Sequence, residues 1–116
     1  MSMKRTLFLL LAIVAMFGLV FTTGCRTTKI GDIINNFSDY EGKQVTIGGT
    51  VGETVWFAVL ERGGFQVGDG SGNIWVITSQ PPPQEGQKVS VTGTIQAAFE
   101  LGGRSFGKVI METSRR

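Results

Sequence analysis

The feature that most constrains this chain is a period-two alternation of apolar residues, which begins at Val45 and recurs between glycine-rich turns. From Val45 to Phe57 the apolar side chains other than Trp56 share one parity, and small or polar residues otherwise take the other. Because successive side chains of a strand point to opposite faces, this pattern predicts a long strand with one buried face. Gly48, Gly49 and Gly52 lie inside it and favour a bulge or a sharp bend.

Four more segments with strand patterns follow: Phe65 to Val67, Ile74 to Thr78, Val89 to Ala97 and Phe106 to Thr113. Turn residues separate them at Leu60–Gly64, Asp69–Gly72, Pro81–Gly86 and Leu101–Ser105. Five strands with a long, glycine-bent first member predict an all-β fold, a small closed barrel without free sheet edges. An SH3-like barrel is the main alternative arrangement.

A short helix is predicted ahead of the strands. Ile30, Ile33, Ile34 and Phe37 recur at the spacing of one helix face. So short a helix does not persist alone, and its apolar stripe must pack on something. We expect it to cover one end or one face of the sheet, with Asn35 to Gly42 as a turn-rich exit.

Three segments carry a family resemblance: Tyr40 to Val51, Val67 to Val76 and Gly86 to Gly93. In them the chain resembles bacterial OB-fold proteins, in particular small exported or lipid-anchored ones, over Ile30 to Thr113. The resemblance implies a five-stranded OB-like barrel. It departs from larger members because a proline turn replaces the helix commonly found between strands three and four. Haem-carrier OB proteins are similar in outline, but their attachment chemistry needs a histidine, which this chain lacks.

The N-terminus has the pattern of an export signal. Lys4 and Arg5 precede an apolar run from Leu7 to Phe21, which small residues follow. As a helix this run reaches roughly 22 Å, short of the ~30 Å hydrocarbon core of a bilayer. We therefore predict a signal peptide over residues 1–24, a tether over 25–29 and a barrel domain over 30–114.

Cys25 is the only cysteine and follows Thr23 and Gly24 directly. This arrangement resembles the lipobox of bacterial lipoproteins, in which the cysteine is lipidated and becomes the new N-terminus. Thr22 stands where that pattern usually has leucine. An ordinary signal peptide and an uncleaved anchor are the alternatives. The residue after the cysteine, Arg26, is not the aspartate that retains lipoproteins in the inner membrane. The resemblance therefore implies an exported, periplasm-facing lipoprotein, with the outer membrane favoured over the inner.

Charge and composition argue against several functions. Of the eleven Lys and Arg, two precede Cys25, which leaves nine against nine Asp and Glu. Proteins that bind nucleic acid through phosphates need an excess of cations, so this neutrality disfavours nucleic acid as a partner. The chain has no histidine, which excludes imidazole-based catalysis and imidazole metal ligands. We predict a non-enzymatic protein without cofactor or metal.

The OB resemblance also implies a ligand face across strands two and three, between the loops that join strands 1–2 and 4–5. Carried onto this sequence, that face comprises Trp56, Arg62, Trp75, Ile77, Phe99, Arg104 and Phe106. Aromatic and arginine side chains there are suited to stacking on bases or sugar rings. In the alternative interpretation, the Ile30–Phe37 helix covers Trp75 and Ile77, and Trp56 caps the barrel.

The Asp69–Gly72 segment imitates two ligand-binding motifs. Its glycines resemble the start of a dinucleotide fingerprint, but no helix follows. Asp69, Ser71 and Asn73 resemble half a calcium loop, but Ile74 and Gln80 hold the places of the required glycine and glutamate. A plain hairpin turn is predicted.

These observations favour a lipid-anchored envelope protein whose barrel binds a protein partner or a small envelope ligand. The main alternative is an OB-fold module for single-stranded DNA or RNA. A carboxylate-dependent enzyme that acts on envelope polymers is the weakest of the three.

Overall fold

The computed structural model describes residues 27–116. It contains two helices, α1 (Ile30–Asn35) and α2 (Phe37–Tyr40), and seven strands: β1 (Gln44–Phe57), β2 (Arg62–Gly68), β3 (Asn73–Thr78), β4 (Lys88–Gln96), β5 (Glu100–Leu101), β6 (Arg104–Ser105) and β7 (Val109–Arg115). The predicted signal peptide and Cys25 lie outside the described residues. Over 27–116, no helix combines the length and the apolar character needed to cross a membrane.

Five strands close into a barrel in the order β1-β2-β3-β7-β4, which confirms the predicted all-β, OB-like barrel with a short N-terminal helix. β1 belongs to two antiparallel ladders. Its first half, Gln44–Thr50, pairs with β4, and its second half, Thr50–Phe57, pairs with β2. A short parallel pairing between β3 and β7 completes the closure.

The predicted bend in β1 is a β-bulge at Gly52. The pairing with β2 shifts register between Val51 and Thr54, so one strand carries an extra residue. The bulge reverses which face the following side chains occupy. Val51 belongs to the barrel core, whereas Val55 and Phe57 pack in a second cluster outside it. The prediction of one buried face along the whole strand was therefore wrong beyond Val51.

The barrel core consists mainly of β-branched side chains and one aromatic ring. Ile47, Phe65, Val67, Val76, Val91 and Ile110 are fully buried there. Ile30 and Ile33 of α1 join this cluster, and Ile34, Phe37 and Tyr40 pack against it. The helix thus closes the barrel interior, as its apolar stripe predicted. The expected turn after it contains α2, which brings Tyr40 onto the core.

The β2–β3 turn caps α1 from outside the helix. The backbone N–H of Ile30 donates to Asp69 Oδ2 at 3.0 Å, and that of Gly31 donates to Ser71 Oγ at 2.9 Å. Lys29, at the N-cap position, makes no side-chain capping bond. The turn therefore supplies acceptors for helix N–H groups that have no partner within the helix. The predicted hairpin turn is confirmed.

Hydrogen bonds hold Asp69 in its charged form. Its carboxyl is exposed, and slight burial, which favours the neutral form, is outweighed by bonds from the Ser71 hydroxyl and from backbone N–H groups. As a result the pKa of Asp69 lies below its ordinary value.

Several turns and strands begin or end at other residues than the sequence predicted. The β1–β2 turn ends at Glu61, and the glycines after it lie inside β2, where a β carbon on Gly63 would collide with β1. The predicted turn at Leu101–Ser105 is the β5–β6 hairpin, in which Gly102 and Gly103 have positive φ. Phe106, expected in the last strand, precedes β7 in a loop.

Asp69→Ala should lower the free energy of unfolding by about 1 kcal/mol at pH 7, the typical loss when a helix cap is removed. Urea denaturation followed by circular dichroism measures this difference. Glu85→Gln, an exposed charge change in the proline-containing turn, serves as control and should leave stability within ~0.5 kcal/mol. Equal stability of all three proteins would contradict the capping role.

The contribution of Asp69 should also depend on pH. Since its folded-state pKa is lowered, the stabilisation is present above the unfolded pKa of ~3.9 and disappears as the pH falls through the lower folded value. We expect the stability difference between the wild type and Asp69→Ala to be constant from about pH 7 to 5 and to shrink below about pH 4. A difference that grows on acidification would contradict this assignment.

Candidate functional site

The predicted ligand face centres on the outer side of β3. Ile74 and Val76 point into the barrel core, so Trp75 and Ile77 occupy the opposite face, as predicted. The neighbouring β2 carries Gly64 beside them, and a β carbon there would lie 3.4 Å from the Trp75 ring. The missing side chain leaves room for the indole to lie across β2.

The β4–β7 connection covers this face. The ring centroids of Trp75 and Phe106 lie 5.0 Å apart in an edge-to-face contact. Phe106 is 8% exposed and Ile77 only 2%. Leu101, Val109 and the half-buried Phe99 complete this cluster, which we call the outer cluster. The alternative in which the Ile30–Phe37 helix covers Trp75 was wrong, because that helix packs on the barrel core.

Arg104 closes over the same cluster from the solvent side. Its guanidinium carbon lies 4.9 Å from the Trp75 ring centroid and 5.1 Å from that of Phe106. Arg104 Nη1 also forms an ion pair with Glu53 Oε1 at 3.1 Å. Both side chains are largely exposed, so this pair adds little stability. The arginine therefore already has an aromatic and an acidic partner within the chain.

Five of the seven predicted ligand-face residues thus meet in one cluster: Trp75, Ile77, Phe99, Arg104 and Phe106. Trp56 and Arg62 stand apart. The Trp56 ring lies over Gly63, on the other side of β1 from Val55 and Phe57, and Arg62 is exposed at the start of β2. That these seven residues contact a ligand stays a prediction.

The β1–β2 loop, residues 58–61, exposes apolar side chains. Val59 is 97% exposed and Leu60 51%, and the neighbouring Trp56 is 37% exposed. These are the exposed large hydrophobic residues of the described part of the chain. The β5–β6 hairpin lies at the same end of the barrel, because a β carbon on Gly102 would collide with the Phe57 ring. We call Trp56, Val59 and Leu60 the apolar tip.

A second surface, which the sequence interpretation missed, lies on the outer faces of β1, β4 and β7. Shallow clefts of about 600 Å³ and about 310 Å³ adjoin there and share Ser90 and Arg116. Hydroxyl side chains line them, and Thr46 and Thr92 hydrogen-bond to each other at 2.8 Å. The polar parity of β1 and β4 was the signal that could have indicated this surface.

A buried ion pair lies beside the clefts, between Glu112 and Arg115. Their Oε2 and Nε atoms are 3.3 Å apart, and Glu112 Oε1 accepts from the Thr78 hydroxyl at 2.8 Å. Arg115 Nη2 donates to the Pro81 carbonyl at 3.0 Å. This network ties β7 to the end of β3. Among the described residues, no group of three or more acidic, histidine or cysteine side chains is placed to hold a metal ion.

The fold is similar to that of solved structures. Asparaginyl-tRNA synthetase from Pyrococcus horikoshii complexed with asparaginyl-adenylate aligns with 79% of this chain at 13% identity and a TM-score of 0.62. A second structure of that synthetase covers 67% of this chain at 15% identity and a TM-score of 0.54. The alignments span 22% and 20% of the synthetase chains, about a fifth of their length.

A third structure, OBody AM3L09 bound to hen egg-white lysozyme, aligns with 66% of this chain and 82% of its own, at 16% identity and a TM-score of 0.51. No protein-family model matches the chain, and the search of curated proteins found no match. At these identities the likeness concerns the fold alone. Together with the closed five-stranded barrel, it supports an OB-fold over the SH3-like alternative.

Phe106→Ala should uncover Trp75 and destabilise the protein by about 3 kcal/mol, because it removes a buried ring from the outer cluster. In a Trp56→Phe background, Trp75 is the only tryptophan. Its fluorescence should shift to longer wavelength and become more accessible to acrylamide. Phe37→Ala, which alters the opposite cluster, is the control and should leave the Trp75 emission unchanged. An unchanged spectrum in Phe106→Ala would contradict the contact.

Proposed function

We propose that this chain is a non-enzymatic, lipid-anchored envelope protein whose OB-fold barrel binds a protein partner through the apolar tip. The observation that carries the proposal is the concentration of exposed large hydrophobic side chains in the β1–β2 loop and the adjoining end of β1. Exposed apolar groups that cluster in this way mark protein or membrane contacts.

The position of the tip suits partner binding. It extends from the end of β1, beside the β5–β6 hairpin, and OB-folds bind their ligands at the corresponding loops. Trp56 supplies the large aromatic anchor that is common at the centre of protein interfaces. The OBody, whose fold is similar to that of this chain, is bound to lysozyme in its structure and is a precedent for protein binding by such a barrel.

A stacking site for a small ligand has less support. The side chains that would stack, Trp75 and Phe106, are packed against each other, and Arg104 covers them. A small ligand would have to displace this internal contact. A protein that binds at the apolar tip leaves the contacts among Trp75, Phe106 and Arg104 intact.

The nucleic-acid alternative is supported by the likeness to asparaginyl-tRNA synthetase, an enzyme named for tRNA. Charge opposes it. Residues 27–116 carry eight Lys and Arg against nine Asp and Glu, and on the candidate face Arg104 is paired with Glu53. Tracking a phosphate backbone requires unpaired cations. We therefore favour the protein partner.

The proposed lipid anchor is inferred from Cys25 and from the charged, apolar and small residues that precede it. Cys25→Ser should move the protein out of the membrane fraction of the bacteria that express it and abolish incorporation of labelled palmitate. Ser38→Ala, an exposed change in α2, is the control and should fractionate like the wild type. Unchanged membrane retention and labelling of Cys25→Ser would overturn the anchor.

The apolar tip is tested by photo-crosslinking in cells. A crosslinking amino acid at Val59 should give a discrete adduct, whereas the same group at Gln84, exposed in the proline-containing turn, should not. Val59→Ser/Leu60→Ser should weaken binding of the purified, identified partner at least tenfold without loss of stability, because both side chains are exposed. Equal adducts at both positions, or undiminished binding by the double variant, would contradict the proposal.

The nucleic-acid alternative is tested by measuring the binding of labelled single-stranded DNA and RNA to the full chain in detergent. Fluorescence anisotropy at low salt should show no binding. Micromolar affinity that falls steeply as salt rises would instead establish the nucleic-acid function.

A further inference from the structure

The clefts on β1, β4 and β7 form one continuous polar face. Five hydroxyl side chains line the smaller cleft: Thr27, Thr46, Ser90, Thr92 and Ser114. Gly48 and Gly68 lie on the floor of the larger one. A β carbon on Gly48 would meet no atom closer than 3.7 Å, so the glycine leaves the backbone accessible from outside. Apart from Val89, which is buried, the residues that line the two clefts are glycines or carry hydrogen-bonding side chains.

The charge of this face is positive. Lys88 and Arg116 line it, and within residues 27–116 neither has a carboxylate at ion-pair distance. Arg115 also lines it, balanced by Glu112. Asp69 lies at the rim and keeps its negative charge, so the two cations Lys88 and Arg116 outnumber the one carboxylate that lines the clefts. Within residues 27–116, this face carries two of the six Lys and Arg side chains that have no carboxylate at ion-pair distance.

The N-terminal segment runs directly onto this face. The backbone N–H of Thr28 donates to the Thr46 carbonyl at 2.7 Å, and Thr27 is part of the cleft lining. Cys25 precedes Thr27 by two residues. Two peptide units span at most about 7 Å, whatever their conformation. An acyl chain on Cys25 therefore has to enter the bilayer next to this face.

From these observations we propose that the hydroxyl-lined, positive face rests on the anionic phospholipid headgroups of the membrane that carries the anchor. The inference rests on the proposed lipidation of Cys25. Headgroup phosphates match the chemistry of the face, because they accept hydrogen bonds from hydroxyls and pair with Lys88 and Arg116. Contact with the surface adds an electrostatic attachment to the acyl anchor, as in other two-signal membrane proteins.

This orientation directs the apolar tip away from the bilayer. Gly48 lies in the cleft floor and Phe57 ends the same strand, nine residues later, which corresponds to ~30 Å of strand before bending. The face and the tip thus occupy opposite parts of β1. The tip is then presented toward the aqueous side of the envelope, where a protein partner can reach it.

Site-specific quenching in vesicles tests the orientation. The full chain, with its native anchor, is reconstituted into phosphatidylcholine vesicles with or without phosphatidylglycerol and with headgroup spin-labelled lipid. A fluorophore is attached at Ser114→Cys on the face, or at Val59→Cys on the tip as the matched position. We expect several-fold stronger quenching at position 114 than at position 59 in vesicles with phosphatidylglycerol. Quenching at position 114 should weaken when that lipid is left out.

Charge variants test the chemistry. Lys88→Glu/Arg116→Glu should reduce the quenching at position 114 to about that at position 59. Arg62→Glu/Lys108→Glu makes the same charge change at residues outside both clefts and should leave it unchanged. Equal quenching at the two positions, equal results with and without phosphatidylglycerol, or no effect of the Lys88/Arg116 variant would overturn the inference.

Failure of the anchor itself gives a different result. Without lipidation, the chain that carries no added cysteine would react with the thiol-specific dye at Cys25, whether or not it floats with the vesicles. A chain that floats, does not react with the dye and shows no preference for the face therefore contradicts the orientation while leaving the proposed anchor in place.

Discussion

The coiling of β1 is the constraint on which the rest of this structure depends. Thr50 pairs with Lys88 on one side and with Gly68 on the other, so one strand joins the two halves of the barrel. To do so it has to bend, and the bulge at Gly52 provides the extra residue that bending needs. The strand then ends in the apolar tip at one part of the molecule, while its first half carries the hydroxyl-lined face at another. The separation of the two proposed surfaces is a consequence of this single strand.

The outer cluster shows how an OB-fold can keep its scaffold while closing its usual face. The β5–β6 hairpin pairs with itself and places Phe106 and Arg104 on Trp75. These are the residue types that stack on bases or sugars in other members of the fold. In this chain they pack against each other, which stabilises the connection between β4 and β7. Function is therefore better sought at exposed side chains than at those that match the ligand positions of the fold.

Much of the fold was predictable because it depends on local patterns. The alternation from Val45 to Val51 and from Val89, the helix stripe that includes Ile30 and Ile33, and the hairpin turn at Asp69 were all confirmed. The candidate site was less predictable from local patterns. Pattern alone placed Phe106 in a strand and gave Asp69 no role beyond its turn. In the structure Phe106 packs on Trp75, and Asp69 caps a helix from 39 residues away in sequence. Both roles depend on contacts between segments that are distant along the chain.

The sequence by itself determined the elements and their chemistry: a charged and then apolar N-terminal segment ahead of one cysteine, a chain without histidine, and strands whose alternation requires one buried face. Tertiary structure alone decided which side chains meet. A bulge shifts the pairing by one residue and moves every later side chain to the other face, and this is how Val55 and Phe57 left the core. The tertiary structure also brings the first described residues and the last strand onto the same polar face. The physical reason is that alternation specifies two faces for each strand, while closure of the barrel decides what each face contacts.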